Sequence, residues 1–453
     1  MTIGRFDNAW QGTVTVSGSG NTATRITKAQ FEAETGETAP ATMGTHALRC
    51  SIVQAATILF TLPALVGGPI DLTSAFYKNV CLRYYIKQKH LNRLTNTTFE
   101  FRLNTNASNL RFLKDRQKNL GRCVAGFNDL AIPRTVLVDA SPSTNFTVFD
   151  ADVGTYNPAS VANFSCRIFG DTGATAGVDL YLLDIVHNDL EPTPRVFWTW
   201  DDGDDTQYDL MWPLAQTYNI PGELFPVATS VNNAGSMTAA EIQEMIASGL
   251  YETGLHGLNL ANHLATEGYN DLTAAEVLID IDDQKSAMTN KAIATQRARK
   301  IIACPLGQHY QTTDGTPIDP LIFGSGIEAF RGTSDSFFAP NFFTRNNLPW
   351  IPLGQGAGFI TDVADYIAVA DLALNAGLNL IVVGHKIVTS SPTGNNVVDT
   401  DLEAMFEEAR DRHQAGTQLL TILSRYLHGR GTISRSVPRG NIVRNVVSDP
   451  MVT

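Results

Sequence analysis

The stretch Val196-Phe-Trp-Thr-Trp-Asp-Asp-Gly203 indicates a buried strand that ends in two acids. A run of apolar and β-branched residues without polar alternation is typical of a strand covered on both faces. In α/β sheets and barrels, functional groups collect in the loops at the carboxyl ends of such strands. Asp201 and Asp202 would repel each other there unless a cation or a shared proton relieved the repulsion. The stretch therefore predicts a metal or acid–base site, with two solvated acids in a turn as the alternative.

The composition of the 453-residue chain is that of a globular protein, with 43% hydrophobic and 17% charged residues. At roughly 150 residues per domain, this length predicts two or three domains. The formal net charge of -12, without a basic block, argues against a nucleic-acid partner. No apolar run reaches the roughly 18 residues of a membrane span, and the N-terminus lacks an apolar segment. We therefore expect neither membrane insertion nor a signal peptide.

The five cysteines form no Cys-x-x-Cys pair; they are Cys50, Cys81, Cys123, Cys166 and Cys304. An odd count without paired spacing predicts reduced thiols that pack in the interior. Four of the five lie in the first part of the chain, so one or two disulfide bridges there are the alternative.

The first part of the chain is predicted to form a polar N-terminal arm followed by a region of β-strands. Residues 1–44 are rich in Gly, Ser, Thr and Ala and are interpreted as an N-terminal arm, a possible attachment segment. Over residues 45–190, short β-type runs alternate with turn residues, which predicts an antiparallel, jelly-roll-like β-sandwich. Segments 126–133 and 177–185 resemble carbohydrate-binding sandwich modules, so this domain is expected to bind glycan or to act as a spacer.

Residues 191–453 show a different pattern, in which strand-like and helix-like segments alternate. Two prolines near residue 193 mark the boundary. Two Thr-Ala-Ala-Glu segments, 238–241 and 273–276, are capping-box signals that open helices. Repeated β-α units predict a parallel sheet that is either doubly wound or closed into a barrel.

Three further polar clusters follow strand candidates in this region. They contain His256 and His263 (segment 254–263), Pro305, and His385. If these strands share one sheet, the clusters and the two opening acids converge on one rim. One Asp with two imidazoles is a ligand set suited to a zinc-like or cobalt-like ion that keeps open positions for water and substrate.

The order of these motifs resembles a known family. Thr-Trp-Asp-Asp-Gly, then Gly-x-His-Gly, then Ala-x-Pro-x-Gly, then a hydrophobic strand ending in His is similar to the polysaccharide deacetylases of carbohydrate esterase family 4. The resemblance covers about residues 195–435. It implies a distorted (β/α)7 barrel that removes acetyl groups from sugars with water activated by a divalent metal ion, for which zinc is expected.

The resemblance also implies a role for each matching residue. Asp201 would be the general base and His385 the general acid, while Asp202 and His256 would bind the metal. The backbone N–H of Leu306 would stabilise the oxyanion. These roles fit the chemistry, because a metal polarises the carbonyl and a His donates a proton near neutral pH.

Two positions depart from the family pattern. The family has a second His four residues after the first, where this chain has Leu260. His263, seven residues after His256, lies on nearly the same face of a helix and could take over as a metal ligand. Ala303 stands where many members have an arginine. Three alternatives follow: an intact site with His263, a site completed by water, and a lapsed enzyme that only binds glycan.

Three residues near these motifs are expected to contact substrate: Trp200, Pro305 and His309. The ring of Trp200 either stacks on a sugar or packs in the core, which is the usual place of tryptophan in a buried strand.

The predicted function is metal-dependent deacetylation of a bacterial surface polysaccharide, capsule or O-antigen. An external substrate without an expected signal peptide suggests release by lysis, as for a bacteriophage tail-associated protein. The expected location is the virion, or the extracellular space after lysis, with a bacterial cytoplasmic or non-classically exported enzyme as the alternative. Expected partners are the polysaccharide, further copies of the chain and other virion proteins. The competing function is a non-catalytic glycan-binding or structural virion protein on a degenerate deacetylase scaffold.

Overall fold

The structure of the protein is a computed structural model. The structure describes residues 2–5, 15–16, 20–39, 43–52, 57–62, 65, 68–87, 98–114, 126–138, 149–169, 178–188, 190, 193–257, 268–295, 297–307, 312–332, 348, 350–355 and 359–429. None of the helices within these ranges is long and apolar enough to cross a membrane.

The first part of the chain forms two six-stranded antiparallel sheets. Its elements are β1 (Thr2–Arg5), β2 (Thr15–Val16), β3 (Thr22–Thr27), α1 (Lys28–Thr35), β4 (His46–Ile52), β5 (Thr57–Thr61), β6 (Asn79–Ile86), β7 (Thr98–Asn104), β8 (Leu110–Lys114), β9 (Gly126–Pro133), α2 (Arg134–Val138), β10 (Phe149–Val153), β11 (Asn163–Phe169) and β12 (Val178–His187). One sheet has the order β3-β4-β12-β6-β9 with β1 beside β12, and the other has the order β10-β8-β7-β11-β5-β2. Leu82 and Leu182 of the first sheet share a core with Phe101 and Phe164 of the second. The antiparallel β architecture is thus present, and its jelly-roll connectivity stays a prediction.

Part of the predicted N-terminal arm belongs to the first sheet. Strand β1 pairs with β12, and β3 pairs with β4 over its whole length. Helix α1 follows β3 directly and buries Phe31 completely, edge-on to Tyr85 and Tyr181. The portion from β3 onward thus contributes to the first sheet and its core, while the attachment role of residues 1–44 and the boundary at residue 44 stay predictions.

The described cysteines are reduced. Cys50, Cys81, Cys166 and Cys304 are buried and form no disulfide with any described residue. Burial raises the pKa of the Cys50 thiol well above its usual value, and the nearby Cys166 adds to this effect. Cys123 lies outside the described residues.

The second part of the chain alternates strands and helices. Its elements are β13 (Arg195–Asp202), a π-helix (Gln207–Met211), α3 (Trp212–Tyr218), β14 (Gly222–Pro226), α4 (Ala239–Ala247), β15 (Tyr251–Thr253), β16 (Leu255–His256), α5 (Ala274–Asn290), β17 (Ile301–Ala303), α6 (Ile318–Gly324), β18 (Ala329–Arg331), β19 (Ile351–Pro352), α7 (Val363–Ala376), β20 (Leu380–Gly384), β21 (Lys386–Val388), β22 (Asn396–Val398), α8 (Asp399–Gln414), β23 (Leu419–Leu420) and α9 (Leu423–Gly429). Both predicted capping boxes are present, at the starts of α4 and α5.

The core strands of this part are parallel and form two sheets. One has the order β15-β14-β13-β20-β19 with β23 beside β13, and the other has the order β16-β17-β18. Residues that flank these strands also make backbone hydrogen bonds to them, from Gly254 N–H, between β15 and β16, to Leu224 O of β14 at 2.7 Å and from Leu348 N–H, before β19, to Phe330 O of β18 at 2.9 Å. Within the described ranges the pairing does not close into one barrel, so the (β/α)7 barrel stays a prediction.

Strand β13 lies at the centre of the larger sheet and is buried on both faces. Trp198 and Trp200 pack in the layer between sheet and helices. Phe197 faces the opposite way, into a core that it shares with Ile381 of β20 and with helix α9. Because side chains alternate along a strand, Asp201 continues the face of Phe197 and lies at the mouth of this interior.

The two parts of the chain share a hydrophobic core. Cys81, Ala131 and Val186 from the antiparallel sheets pack in the same cluster as Ala376 and the helices of the second part. The buried Asn79 amide donates a hydrogen bond to Ala376 O at 2.7 Å. The first antiparallel sheet is therefore packed directly on the end of helix α7.

Glu223 lies at the amino ends of the parallel strands, where helix α9 covers the interior. It is fully buried, and its Oε2 accepts a hydrogen bond from the Ser424 backbone N–H at 3.0 Å. Burial raises the pKa of Glu223 from 4.5 to about 8; hydrogen bonds from Ser424 oppose this and the charge of Glu252 adds to it. Glu252 itself binds Arg297 and Arg425.

Replacing Glu223 with glutamine is expected to change how stability depends on pH. Between pH 4.5 and about 8 the carboxyl ionises in the unfolded chain but not in the folded one. The free energy of unfolding of the wild type should therefore fall by about 1.4 kcal/mol per pH unit relative to E223Q across this window. Urea unfolding at pH 5, 6, 7 and 8 measures this difference. Parallel stability curves for wild type and E223Q would contradict it, and the exposed Glu407→Gln serves as the control.

Candidate active site

The carboxyl ends of the parallel strands bring five polar side chains together. Strand β13 supplies Asp201 and Asp202, and β16 supplies His256. Arg331 is the last residue of β18, and His385 follows β20 directly. Each follows or ends a strand that is mostly buried, so the packed strands fix the positions of these groups.

Asp201 is the centre of a chain of charged groups. Its carboxylate is 5% exposed, and Oδ1 accepts a charge-assisted hydrogen bond from Nη2 of Arg331. Its other oxygen, Oδ2, lies 3.7 Å from Nε2 of His385. The arginine therefore fixes one side of the carboxylate while the other side faces the imidazole.

Arg331 was not among the residues predicted from the sequence. It pairs with Ala303 across the neighbouring strands β17 and β18. Its Cζ lies over the rings of Phe225 (5.2 Å) and Trp350 (5.3 Å), which stabilise a cation at their faces. Arg331 thus reaches Asp201 from the strand next to the one that carries Ala303.

Asp202 and His256 form a second pair beside the first. The Asp202 backbone has a φ of 67°, which turns its side chain away from the strand face. Its Oδ1 lies 3.1 Å from Nε2 of His256, while Nδ1 of His256 lies 2.9 Å from Ala303 O. Burial alone would lower the pKa of His256, but the hydrogen bond with Asp202 and the charges of both aspartates raise it to about 9. Without a bound cation, the Asp202–His256 pair therefore holds a proton on the His256 imidazole.

This pair fits two positions of a divalent metal site. Donation of the Nδ1 proton to Ala303 O leaves the lone pair of neutral His256 on Nε2, the atom that faces Asp202. An imidazole nitrogen and a carboxylate oxygen are zinc ligands. In the described part of the chain, no group of three or more His, Cys, Asp or Glu residues could hold a metal. His263, the predicted third ligand, lies outside it.

His385 connects the site to the adjacent loop. Its Nε2 points to Asp201, and its backbone O accepts a hydrogen bond from the Gln207 side chain at 2.6 Å. Its Nδ1 is buried and has no hydrogen-bond partner within the ranges that the structure describes. An imidazole beside a carboxylate can exchange a proton with a reacting group.

The turn after β17 lies next to the His256 loop. Leu306 adopts a left-handed conformation with φ 49°, and its side chain is 53% exposed. A Cβ on Gly257 would lie 2.2 Å from Cγ of Pro305, so the absence of a side chain at Gly257 lets the two loops pack. The oxyanion role of the Leu306 N–H stays a prediction.

The structure does not support a sugar-stacking role for Trp200. Its side chain is fully buried and lies edge-on to Phe406. The position of Gly384 allows this packing, because a Cβ there would lie 2.2 Å from Cζ3 of Trp200. A ring without an exposed face has no surface for a sugar. Pro305 is also buried, and His309 lies outside the described residues.

Part of the chain is similar to known deacetylases. Residues 189–316 match the family model of polysaccharide deacetylases. No curated protein matches the chain. Similar solved structures include a family 4 acetyl xylan esterase from Clostridium thermocellum in complex with a cobalt ion, with 20% identity, a TM-score of 0.34, and coverage of 53% of this chain and 95% of that one. A peptidoglycan deacetylase, PdaC, from Bacillus subtilis has 13% identity, a TM-score of 0.30, and coverage of 52% and 91%.

The matched segment defines a polysaccharide deacetylase-like region. It includes Asp201, Asp202, His256 and Pro305, and it ends before Arg331 and His385. The two side chains that contact the Asp201 carboxylate, Arg331 and His385, therefore lie outside the matched segment.

Proposed function

We propose that this protein is a metal-dependent deacetylase that acts on an acetylated bacterial surface polysaccharide. The observation that carries this proposal is that two pairs of side chains lie together at the carboxyl ends of the parallel strands. The Asp201–His385 pair, oriented by Arg331, is suited to proton transfer, and the adjacent Asp202–His256 pair is suited to holding a cation. The match of residues 189–316 to polysaccharide deacetylases supports the same reaction class.

Each residue then has one task. Asp201 removes a proton from the attacking water, and Arg331 keeps its carboxylate in place. His385 protonates the departing sugar amine or hydroxyl, and the N–H of Leu306 donates to the oxyanion. When bound, a divalent ion supplies Lewis-acid polarisation of the acetyl carbonyl and acidifies water.

The metal and its remaining ligands are part of the proposal. Asp202 and His256 would hold the ion, for which we propose zinc, with His263 or water completing the set. A bacteriophage virion setting, with further copies of the chain and other virion proteins as partners, is the biological context that we propose.

Metal removal is expected to abolish acetate release. We expect the purified chain to release acetate from an N-acetylglucosamine oligosaccharide or from O-acetylated xylan, to lose this activity after chelation, and to regain it with zinc. His256→Ala should bind no metal and should not regain activity when zinc is added, because one of the two described ligands is gone. Elemental analysis and an acetate assay measure the two effects, with the exposed His413→Ala as the control.

The outcomes separate the proposed enzyme from its main alternative. Full metal occupancy in His256→Ala would contradict the proposed ligand set. Metal loss in His263→Ala would identify the third ligand. A wild type that binds neither zinc nor cobalt would favour a non-catalytic glycan-binding or structural virion protein, which is the function that Leu260 at the second histidine position supports.

A further inference from the structure

We propose that Gln207 is a positioning residue that fixes the spacing between the general base Asp201 and the general acid His385. This inference rests on the reaction proposed above. Gln207 touches neither reacting side chain through its own functional group. It acts instead on the backbone that carries both.

One side-chain amide joins the two strand ends. Nε2 of Gln207 lies 2.5 Å from Asp201 O and 2.6 Å from His385 O, and the side chain is fully buried. A primary amide has two N–H donors, so one group can satisfy both carbonyls. The partners also fix the amide orientation, because two carbonyl oxygens require the nitrogen to face them.

The amide lies where the pairing between β13 and β20 ends. These strands pair in parallel register as far as Trp200 and Gly384, and Asp201 and His385 are the residues that follow this last pair. Asp201 stays paired with Phe225 of β14 on its other side. Gln207 takes the place of the missing β13–β20 contact at the level of the reacting groups.

The loop that carries Gln207 is also attached to β21, the segment that follows His385. Thr206 accepts a hydrogen bond from Ile387 N–H at 3.0 Å, and Lys386 forms an ion pair with Asp204 at 3.0 Å. Thr206 also donates to Asp204 at 2.6 Å. The segment 204–207 is therefore connected to 385–387 along its length, and a π-helix begins at Gln207, an irregularity often found at functional sites.

Loss of this amide would remove the hydrogen bond to His385 O and leave Asp201 O with the bond from Gly203 N–H at 2.8 Å. A carbonyl left without a donor inside a protein costs about 1–3 kcal/mol, so the backbone at His385 would move to find a new partner. Proton transfer depends on the separation of the Asp201 and His385 side chains, now 3.7 Å between Oδ2 and Nε2. A displacement of about 1 Å at a reacting group lowers the rate about a hundredfold.

Gln207→Met is expected to lower kcat about 10–100-fold and to change KM by less than about twofold, because proton transfer and not substrate binding is affected. Gln418→Met is the matched control. Gln418 is also buried and donates through its amide to a single helix carbonyl, Ala370 O at 2.9 Å, away from the site. Both variants should lose stability in urea unfolding, but only Gln207→Met should lose turnover.

A second measurement does not depend on activity. In the metal-free full-length chain, the imidazole NMR signals of His385, identified with His385→Ala, should shift in Gln207→Met and stay in place in Gln418→Met. If the wild type releases no acetate, the proposed reaction fails, while this measurement still decides the role of Gln207. Unchanged His385 signals, or equal loss of kcat in the two glutamine variants, would overturn it.

Discussion

Asp201→Asn is expected to lower kcat for acetate release about a thousandfold. An asparagine amide cannot accept the proton that the general base removes, and general acid–base catalysis contributes about 10²–10⁴-fold. Metal content should be retained, because Asp202 and His256 are unchanged. Glycan binding should also be retained, because the side chain keeps its size.

Three measurements on one preparation test this result: initial rates of acetate release, elemental analysis, and glycan binding by calorimetry. Asp205→Asn is the matched control, since Asp205 lies in the same loop outside the contacts that Asp201 makes with Arg331 and His385. Acetate release by Asp201→Asn at the wild-type rate would show that another group is the base. A protein that only binds glycan would release no acetate in either form.

Arg331→Met is expected to lower the free energy of unfolding by about 3–5 kcal/mol and kcat by about a hundredfold. Arg331 is 2% exposed, and its removal would leave the buried Asp201 carboxylate without its cation. The carboxylate would also lose the contact that orients it. Arg331→Lys should give a smaller loss of both quantities, because lysine keeps the charge but not the planar fork or the contact with Trp350.

Urea unfolding and steady-state kinetics measure these effects, with the exposed Arg299→Met as the control. The double variant Asp201→Asn/Arg331→Met should be more stable than the sum of the single changes predicts, because the buried charge is removed together with its partner. Additive losses in this cycle, or an Arg331→Met protein as stable as Arg299→Met, would show that the ion pair contributes little.

The sequence predicted that the site residues meet at one edge of the sheet, because the same pattern occurs in several strands. A buried apolar run followed by a polar residue identified Asp201, Asp202, His256 and His385, and the structure places the first with the last and the second with the third. The rule needs only local patterns, since the ends of parallel strands meet at one edge of the sheet.

Arg331 and Gln207 could not be found in the same way. Arg331 ends a strand of three residues, and its approach to Asp201 depends on β18 lying beside β17, which no local pattern encodes. Gln207 follows the acidic loop and reads as a surface residue, although it is fully buried. Both residues take their places through tertiary contacts, because each contacts a segment more than a hundred positions away in sequence.

The β region shows the same limit. Strand β3, Thr-Ala-Thr-Arg-Ile-Thr, is polar at most positions, and only Ile26 is buried. Such a strand at the edge of a sheet carries a weak hydrophobic pattern, so its composition alone predicts an arm. Its assignment comes from pairing with β4, which sequence composition does not reveal.

The contact between the antiparallel sheets and helix α7 limits how the chain can be divided. A fragment that begins at residue 191 would contain every predicted catalytic residue, yet it would present to water the apolar surface that now covers Cys81, Ala131 and Val186. It would also leave Ala376 O without the Asn79 amide. Such a fragment should self-associate or precipitate, and the intact chain should melt in a single calorimetric transition rather than two.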